Sequence, residues 1–347
     1  MRRDLLSPPR EVAPDRQHGA AGNWPVESLE SRPLPVSSER TPIPPVAEAL
    51  ASPALAEPHR RPLFHPKTGW FRRLERETSH FLSRNVYPRI PGISLPYDRI
   101  LRRRLGLSEA EIGLPDLPPE FEGFTILLIS DPHAGPFVSP AALQGTFERL
   151  QAVEPDAFVM AGDFVTSQVR EFETHRHAFR VLRAPHGVFG VLGNHDHYTQ
   201  EPERLRDVIE QAGIRMLHNR SVDLRRNGST LSLAGVDDML KGEPDLDAAL
   251  DTTRSPVILV SHHPDLFFAA ARRNVALMLS GHTHAGQVRA PGLGVIVRQS
   301  RYRLDEGRYR TGGTELVVSR GLGAVGVPWR VFCPPEAVLI RLTAAGC

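Results

Sequence analysis

Residues 277–284 read LMLSGHTH, a short apolar run that passes directly into a cluster of polar side chains. The run from Leu277 to Ser280 has the length and composition of a buried strand, and His282 and His284 follow it at once. In open α/β sheets, ligand sites lie just beyond the carboxyl ends of the strands. This stretch therefore predicts a sheet and, at its edge, a site.

Four more apolar runs end in polar clusters in the same way. The clusters are Ser130-Asp131-Pro132-His133, Gly162-Asp163, Gly193-Asn194-His195-Asp196 and Ser261-His262-His263-Pro264. Helical stretches separate the runs, and one of them begins with Ser139 as its predicted N-cap and Pro140 in its first turn. Strands that alternate with helices predict an α/β layered domain.

The clusters together indicate a metal site, although each alone is weak evidence. An Asp after a strand often caps a helix, and a lone His is usually structural. The chain has only two cysteines and no CxxC pair, so a thiolate site is not indicated. Carboxylate, amide and imidazole donors suit Mn²⁺, Fe²⁺ or Zn²⁺. A carboxylate shared by two such ions would hold them ~3.5–4 Å apart, as two-metal hydrolysis requires.

The order of the clusters is Asp-x-His, Gly-Asp, Gly-Asn-His-Asp, a lone His and Gly-His-x-His. From about Phe121 to Leu342 the chain thereby resembles the calcineurin-like metallophosphoesterases. GHTHAGQV at 281–288 and VSRGLG at 318–323 resemble the bacterial phosphodiesterase branch of YkuE and YaeI. The resemblance implies an α/β fold, a four-layer α/β/β/α sandwich, and a metal-dependent phosphoric ester hydrolase.

The resemblance also implies a role for each cluster residue. Asp163 would bridge two divalent metal ions, Mn, Fe or Zn, and a metal-bridging hydroxide would be the nucleophile. His195 would be the general acid, with Asp131 or Asp196 orienting its imidazole. The implied ligands are Asp131, His133 and His284 for the first ion, Asn194, His262 and His282 for the second, and Asp163 for both.

Some positions leave alternatives open. His263 is the fallback for His262, and Thr166 stands where many relatives carry a second acid, so hydrogen bonding around Asp163 is expected to differ from theirs. A GxGxxG pattern at 321–326 precedes Val-Pro-Trp, which is not a helix start, and favours a tight loop near the site. Three arginines are either phosphate contacts or exposed solubilising residues: Arg289, Arg298 and Arg320.

Within the implied class, the first functional hypothesis is a phosphodiesterase. The second is a pyrophosphohydrolase of a nucleotide-linked lipid such as UDP-2,3-diacylglucosamine, and a non-catalytic scaffold or a nuclease are further alternatives. The presence of His195 and every expected ligand disfavours a scaffold. Scattered Lys and Arg residues and a net charge of +2 disfavour a specific nucleic-acid partner. The expected partner is a phosphoester, either a small molecule or a lipid.

The chain divides into three predicted parts. Residues 1–66 hold 13 of the 32 prolines and are predicted to be a disordered tail, either a docking segment or without a specific role. Residues 67–114 are predicted to be helical, and 115–347 to form the phosphoesterase domain. From Gly69 to Val86, apolar residues flanked by arginines predict an amphipathic helix that packs on the domain or contacts an anionic membrane. With the arginines at 102–104, peripheral membrane contact would extend through residues 69–104.

Location is predicted from what the chain lacks. It has no secretory signal pattern and no run of ~18 apolar residues. Two cysteines fit a reducing compartment. We therefore expect a cytoplasmic protein, in contact with the inner membrane surface if residues 69–104 bind lipid.

Overall fold

A computed structural model describes residues 81–290 and 294–345. The predicted tail, 1–66, and the first part of the predicted helical segment, 67–80, lie outside the described residues. The division of the chain into three parts therefore stays a prediction.

The first of two central sheets has six strands. They are β1 (Gly106–Leu114), β2 (Thr125–Ile129), β3 (Ala157–Ala161), β4 (Val188–Val191), β5 (Arg215–Met216) and β14 (Glu336–Ala344). Their order is β1-β14-β2-β3-β4-β5. The β14 and β2 strands are antiparallel, and the other neighbours are parallel. The carboxyl ends of β2, β3 and β4 therefore lie at one edge, where three polar clusters follow.

The second sheet also has six strands. They are β6 (Arg220–Arg226), β7 (Ser229–Gly235), β8 (Val257–Val260), β9 (Leu277–Ser280), β12 (Gly307–Thr311) and β13 (Thr314–Val318). Their order is β12-β13-β9-β8-β7-β6, with the two outermost strands antiparallel to their neighbours. A separate short antiparallel pair joins β10 (Arg289–Ala290) and β11 (Gly294–Val295). The clusters after β8 and β9 come from this second sheet.

The described helices are short, and all except α1, which precedes β1, lie between strands in the chain. They are α1 (Leu95–Arg104), α2 (Pro140–Gln151), α3 (Val169–Phe179), α4 (Asn194–His197), α5 (Pro202–Glu210), α6 (Leu246–Leu250) and α7 (Phe267–Ala271). A π-helical turn, Leu82–Val86, precedes them, and four 3₁₀ turns are Tyr87–Arg89, Pro119–Phe121, Pro264–Leu266 and His284–Gly286. The predicted cap of α2 is present, because Ser139 Oγ accepts a hydrogen bond from the Ala142 N–H at 3.2 Å.

Side chains of each central strand alternate between two cores. Ile126 and Leu128 of β2 pack into the core between the sheets, together with Leu233 and Ile258 of the second sheet. Leu127 and Ile129 face the other way and join a core with helices α2, α3 and α5. A third core joins the second sheet to α6 and α7. These layers confirm the predicted four-layer α/β/β/α sandwich.

One part of the predicted helical segment is a strand. Residues 106–114 form β1, which pairs with β14 from Gly106–Glu336 to Leu114–Ala344. Their burial alternates, with Ala110, Ile112 and Leu114 buried. A period of two suits a strand whose inner face joins the core between the sheets. The prediction that 67–114 is helical is therefore wrong over 106–114, and the first strand of the domain begins before residue 115.

Within residues 81–290 and 294–345, no helix combines the length and the apolarity that crossing a membrane requires.

Candidate metal centre

Four buried side chains form one half of the site at the carboxyl edge of both sheets. Asp131, His133, Asp163 and His284 each offer a ligand atom, and these atoms all lie within 4.8 Å of one another. His133 Nε2 and His284 Nε2 are 3.0 Å apart, and His284 Nε2 lies 3.4 Å from Asp131 Oδ1. These four residues come from three polar clusters of the sequence, which the sheets bring together.

The other half of the site lies against the same Asp163 carboxylate. His262 Nε2 is 3.2 Å from Asn194 Oδ1, and His282 Nδ1 is 3.3 Å from His262 Nε2. Asn194 and His262 are buried, and His282 is buried beside them. The structure thus brings together all seven side chains that the sequence named as ligands, in two neighbouring groups.

Asp163 lies between the two groups. Its Oδ2 atom is 3.5 Å from His133 Nε2 on one side and 3.3 Å from His262 Nε2 on the other. Its Oδ1 atom accepts a hydrogen bond of 2.8 Å from the backbone N–H of His195. One carboxylate oxygen therefore faces both groups, which is the position that a bridging ligand needs.

The choice between His262 and His263 follows from where the two rings lie. His262 Nδ1 is 2.7 Å from the carbonyl oxygen of Ala161. Because a carbonyl only accepts, Nδ1 carries a proton, and Nε2 is the atom that faces Asp163 and Asn194. His263 Nδ1 instead accepts the N–H of Asp265 at 3.2 Å, in a turn below the site. Geometry thus brings the first histidine of the pair, and not the second, against Asp163 and Asn194.

The backbone of the site is strained. Five of the seven side chains belong to residues with positive φ angles between 43° and 71°: Asp131, His133, Asp163, His282 and His284. Such conformations cost a residue with a Cβ atom about 1–2 kcal/mol each. They persist where surrounding contacts hold them, and they concentrate at functional sites. The tight turns aim the ligand atoms inward at the expense of stability.

A glycine loop after β13 packs directly against the Asp131 turn. A Cβ atom on Gly321 would lie 2.9 Å from Asp131 Cβ, and one on Gly323 would lie 2.5 Å from the carbonyl oxygen of Pro132. The N–H of Gly323 donates to the Asp131 carbonyl at 2.7 Å. The GxGxxG pattern is thus a tight loop at the site, where backbone approaches a metal-ligand turn too closely for a side chain.

Gly321 and Gly326 form a matched pair for a test of this packing. Both have positive φ, +75° and +76°, but a Cβ atom on Gly326 would meet nothing within 4 Å. We expect Gly326→Ala to lower the free energy of unfolding by about 1–2 kcal/mol through backbone strain alone. Gly321→Ala adds the contact with Asp131 and should cost about 3 kcal/mol.

Urea unfolding of the metal-free proteins measures the stability difference between the two glycine variants, and calorimetric titration with Mn²⁺ measures metal affinity. Gly321→Ala should also bind metal about tenfold more weakly, because Asp131 must shift. Equal stability and equal metal affinity in the two variants would show that the loop does not position Asp131.

His195 lies beside the metal ligands without joining either group. Its Nδ1 atom is 2.7 Å from the carbonyl oxygen of Thr166, so Nδ1 carries a proton and Nε2 is the atom that can gain or lose one. Its ring stands edge-on to the ring of His133, with 4.7 Å between centroids. This geometry allows His195 to exchange a proton near the ligands.

The contact that orients the His195 ring is a backbone carbonyl, whereas the sequence suggested a carboxylate. Asp131 accepts the N–H of His282 at 3.2 and 3.1 Å through its two oxygens. Asp196 accepts the N–H groups of Gly193 and Val165 at 2.8 and 3.1 Å. Both acids hold loops of the site in place. The oxygen that orients the His195 ring is the backbone carbonyl of Thr166, a residue that stands out in the sequence only because it replaces an acid.

Burial dominates the electrostatics of the ligands. Burial lowers the pKa of His133 to about 3, with His195 adding to the effect, and it lowers the pKa of His282 and His284 well below the usual 6.5. Burial also raises the pKa of Asp131 to about 6, against the pull of His262. Three imidazoles are therefore neutral at neutral pH, the form in which histidine binds a metal ion.

Asp163 and His262 behave as an ion pair. Burial alone would raise the pKa of Asp163, but the imidazoles of His262 and His195 hold it well below the usual range. Burial would lower the pKa of His262, but the Asp163 carboxylate raises it well above 6.5. Protonated His262 thus occupies the position in which a cation would neutralise Asp163.

The donor set fits divalent cations. Three carboxylate or amide side chains and four imidazoles point their ligand atoms at one another from buried positions, and no thiolate is among them. Buried lone pairs that face one another repel unless a proton or a cation lies between them. The mixture of oxygen and imidazole nitrogen suits borderline and hard ions.

A buried arginine behind the site was not predicted. Arg330 is 6% exposed, and its Nη2 atom lies 2.9 Å from His284 Nδ1. Its Nε donates to the Gly323 carbonyl at 2.8 Å and to the Tyr97 hydroxyl at 3.1 Å. Cys333 Sγ donates to the His284 carbonyl at 3.1 Å. The sequence gives no periodic or motif signal for the contacts with His284 and Tyr97, because they join residues more than 40 positions apart.

The three arginines considered as phosphate contacts are paired with acids. Arg289 Nη1 is 2.5 Å from Glu306 Oε1, Arg298 contacts Asp305, and Arg320 Nη2 is 2.5 Å from Glu336 Oε1. The Glu336 carboxylate is buried, so this last pair lies partly inside the protein. Each guanidinium group thereby connects two segments that follow β9. Phosphate contact and a solubilising role both stay predictions for these arginines.

The chain is similar to proteins of one known family. A family model described as calcineurin-like phosphoesterase matches residues 124–286. The uncharacterized metallophosphoesterase YkuE of Bacillus subtilis (strain 168) is 31% identical over 236 residues, 65% of this chain and 81% of that protein. A transmembrane protein with metallophosphoesterase domain from Danio rerio is 32% identical over 252 residues, 68% of this chain and 57% of that protein.

The chain is also similar to solved structures over part of its length. The protein TT1561 of Thermus thermophilus is similar with a TM-score of 0.40 and 18% identity, over 58% of this chain and 90% of that chain. Phosphopantetheinyl hydrolase from Mycobacterium tuberculosis is similar with a TM-score of 0.37 and 14% identity, over 57% of this chain and 89% of that chain.

Proposed function

Because the chain belongs to the calcineurin-like metallophosphoesterase family, we propose that it hydrolyses a phosphodiester with two divalent cations, with His195 as the general acid. The buried Asp and His cluster is a metal-binding site of the kind found in dimetal phosphoesterases. We propose, in addition to this metal-binding site, that it holds two ions, that they are Mn²⁺, Fe²⁺ or Zn²⁺, and that a phosphodiester bond is cleaved.

The position of Asp163 carries this proposal. A carboxylate oxygen that faces His133 Nε2 at 3.5 Å and His262 Nε2 at 3.3 Å can serve two ions at once. A mononuclear site would need only Asp131, His133, Asp163 and His284. In that case Asn194, His262 and His282 would lie together on the far side of Asp163 without a metal ion to bind. Two ions account for both groups.

Divalent cations held by these residues would neutralise phosphoryl oxygens and lower the pKa of water toward neutrality. The chain's own residues then have two tasks. The strained turns hold the ligand atoms in fixed positions, so that little reorganisation is needed when charge develops on the substrate. His195, whose Nδ1 atom contacts the Thr166 carbonyl, would give a proton to the departing alkoxide.

A second candidate is hydrolysis of a pyrophosphate bond in a nucleotide-linked lipid. It is favoured by exposed apolar side chains on loops that adjoin the ligand turns. Ile296 and Val297 are 56% and 58% exposed, next to Val295, which Gly286 approaches closely. Trp329 and Phe332 are 48% and 68% exposed, beside Arg330 and Cys333. Acyl chains could lie on such side chains while the phosphates meet the metal site.

The first test compares bis-p-nitrophenyl phosphate with p-nitrophenyl phosphate. Chelated protein is reconstituted with Mn²⁺, Fe²⁺ or Zn²⁺, and release of p-nitrophenolate is followed. We expect release from the diester to require added metal and to exceed release from the monoester by about tenfold or more, because the proposed function is a phosphodiesterase. Metal-dependent release that favours the monoester would overturn the phosphodiesterase assignment.

Absence of release from both compounds, with metal demonstrably bound, would count against the first candidate. The next substrate would then be UDP-2,3-diacylglucosamine in mixed micelles, with UMP release as the readout. Hydrolysis of that lipid alone would establish the second candidate. Absence of hydrolysis of all three substrates would favour a non-catalytic scaffold. A nuclease is tested by incubating the same reconstituted protein with single-stranded and duplex DNA.

A further inference from the structure

The first described stretch of the chain, residues 81–105, borders the catalytic site, and we call it the rim segment. Arg84 Nη2 donates to the carbonyl oxygens of Ser167 and Tyr198, at 3.0 and 2.5 Å. These carbonyls lie on the loops that follow Asp163 and His195. The Tyr97 hydroxyl donates to the Gly323 carbonyl at 2.9 Å, on the glycine loop beside Asp131. The rim segment is thus fixed to three loops of the site.

The exposed charge of the rim segment is basic. The stretch contains six arginines and a single acid, Asp98, with no lysine or glutamate. Asp98 is buried, and its Oδ1 atom accepts the N–H of Ser139 at 2.9 Å. Arg84 is used internally, which leaves five exposed arginines: Arg89, Arg99, Arg102, Arg103 and Arg104. No exposed acid of the segment offsets them.

Large apolar side chains are exposed among these arginines. Phe81, Ile90 and Leu95 are 59%, 42% and 68% exposed. On α1, Leu95, Arg99 and Arg102 form one exposed stripe at spacings of four and three residues, while Tyr97 and Leu101 are buried on the opposite face. An outward stripe that mixes Leu with Arg cannot be explained by packing on the domain, because the domain already covers the other face.

A neighbouring loop is hydrogen-bonded to the rim segment. The Tyr87 hydroxyl donates to the Gly326 carbonyl at 3.3 Å, three residues before the exposed Trp329. Of the nine large apolar side chains that are exposed in the described part of the chain, five lie on these two stretches: Phe81, Ile90, Leu95, Trp329 and Phe332. Exposed apolar side chains are therefore concentrated at the rim of the site.

We propose that the rim segment docks this face of the protein on an anionic lipid bilayer. Aromatic and aliphatic side chains enter the boundary between headgroups and acyl chains, and arginines pair with anionic headgroups. A bilayer offers both chemistries over a continuous surface, which matches a face that carries five cations and no exposed acid of its own. Docking would hold the mouth of the metal site at the membrane.

The sequence already predicted peripheral membrane contact through residues 69–104. Two alternatives to a bilayer are a protein partner and coverage of the rim segment by another part of this chain. The alternatives differ in what they require. A protein partner would supply discrete acids for the arginines, and coverage by the chain itself would remove the surface in the intact protein. Only a bilayer requires binding that depends on the lipid charge and on the apolar side chains together.

The experiment is sedimentation of the full chain with vesicles. Vesicles of pure phosphatidylcholine are compared with vesicles that contain about 30% phosphatidylglycerol, a composition chosen for its charge. We expect binding to the anionic vesicles only, and a decline as NaCl is raised. A triple variant, Arg99→Gln, Arg102→Gln and Arg103→Gln, should lower the partition coefficient about 100-fold, and Leu95→Ser about tenfold.

A control with the same change in charge uses exposed arginines away from the rim: Arg225→Gln, Arg254→Gln and Arg272→Gln. This control should bind anionic vesicles like the unchanged protein. Every variant should hydrolyse bis-p-nitrophenyl phosphate at the unchanged rate, so a failure of the proposed activity and a failure of docking are distinguishable. Absence of binding to anionic vesicles, or an equal loss in the control, would overturn the proposal.

Discussion

Asp163→Asn is expected to abolish hydrolysis and to empty the metal site. The asparagine keeps the shape of the side chain, but it removes the negative charge and leaves one oxygen that cannot serve two ions. The carboxylate lies between His133 and His262, so its loss affects both groups of ligands. We expect kcat to fall by about 10³-fold or more, since a bound ion contributes several kcal/mol of charge stabilisation.

Metal content is the more direct measurement for this variant. Elemental analysis after reconstitution and desalting should give about two ions per chain for the unchanged protein and fewer than one for Asp163→Asn. Added Mn²⁺ should raise the melting temperature of the unchanged protein, because binding to the folded state stabilises it, and should not raise that of the variant.

Asp207→Asn, an exposed change on α5, is the matched control and should behave like the unchanged protein. Two ions retained by Asp163→Asn would show that Asp163 does not bridge.

His195→Ala is expected to abolish most of the turnover while the metal remains bound. The ring contacts the Thr166 carbonyl through Nδ1 and lies edge-on to His133, but it belongs to neither group of ligands. General acid catalysis contributes about 10²–10⁴-fold, so kcat should fall within that range. Metal content and the metal-dependent rise in melting temperature should stay unchanged.

The dependence of the rate on the leaving group distinguishes a catalytic His195 from a structural one. Substrates with a better leaving group should suffer less from the substitution, because they need the proton less.

His177→Ala, on the exposed face of α3, is the control. A variant with full activity, or one that has lost its metal, would contradict the assigned role.

Together the two variants separate binding from chemistry. Asp163→Asn should lower both the metal content and kcat, whereas His195→Ala should lower kcat alone. Equal behaviour would indicate that the substitutions act through a common loss of structure, since Asp163 Oδ1 accepts the His195 N–H at 2.8 Å. Urea unfolding of the metal-free proteins tests that explanation.

Local sequence was sufficient for the central strands and for the clusters that follow them. The predicted run at 277–280 coincides with β9, and the apolar run that ends in Gly162-Asp163 is β3, because short apolar runs that are buried on both faces leave a clear signal. The Ser139 cap and the Pro140 start of α2 were also predictable, since capping depends on neighbours three residues away.

Edge elements were harder to predict. Residues 106–114 follow three consecutive arginines of α1, and their local composition does not oppose a helix. They become a strand because β14, more than 200 positions later, offers nine residues of parallel pairing. Pairing between distant segments overrides local propensity, and a single sequence gives no measure of it.

The sequence by itself determined which residue types gather at the carboxyl ends of five strands, and hence the kind of metal site and its seven candidate ligands. Only the tertiary structure decided which atoms meet. It placed His262 rather than His263 against Asp163, oriented the His195 ring through the Thr166 carbonyl, and buried Arg330 behind His284. Hydrogen bonds of a few ångströms between distant segments depend on how two sheets pack, and packing is a property of the whole chain.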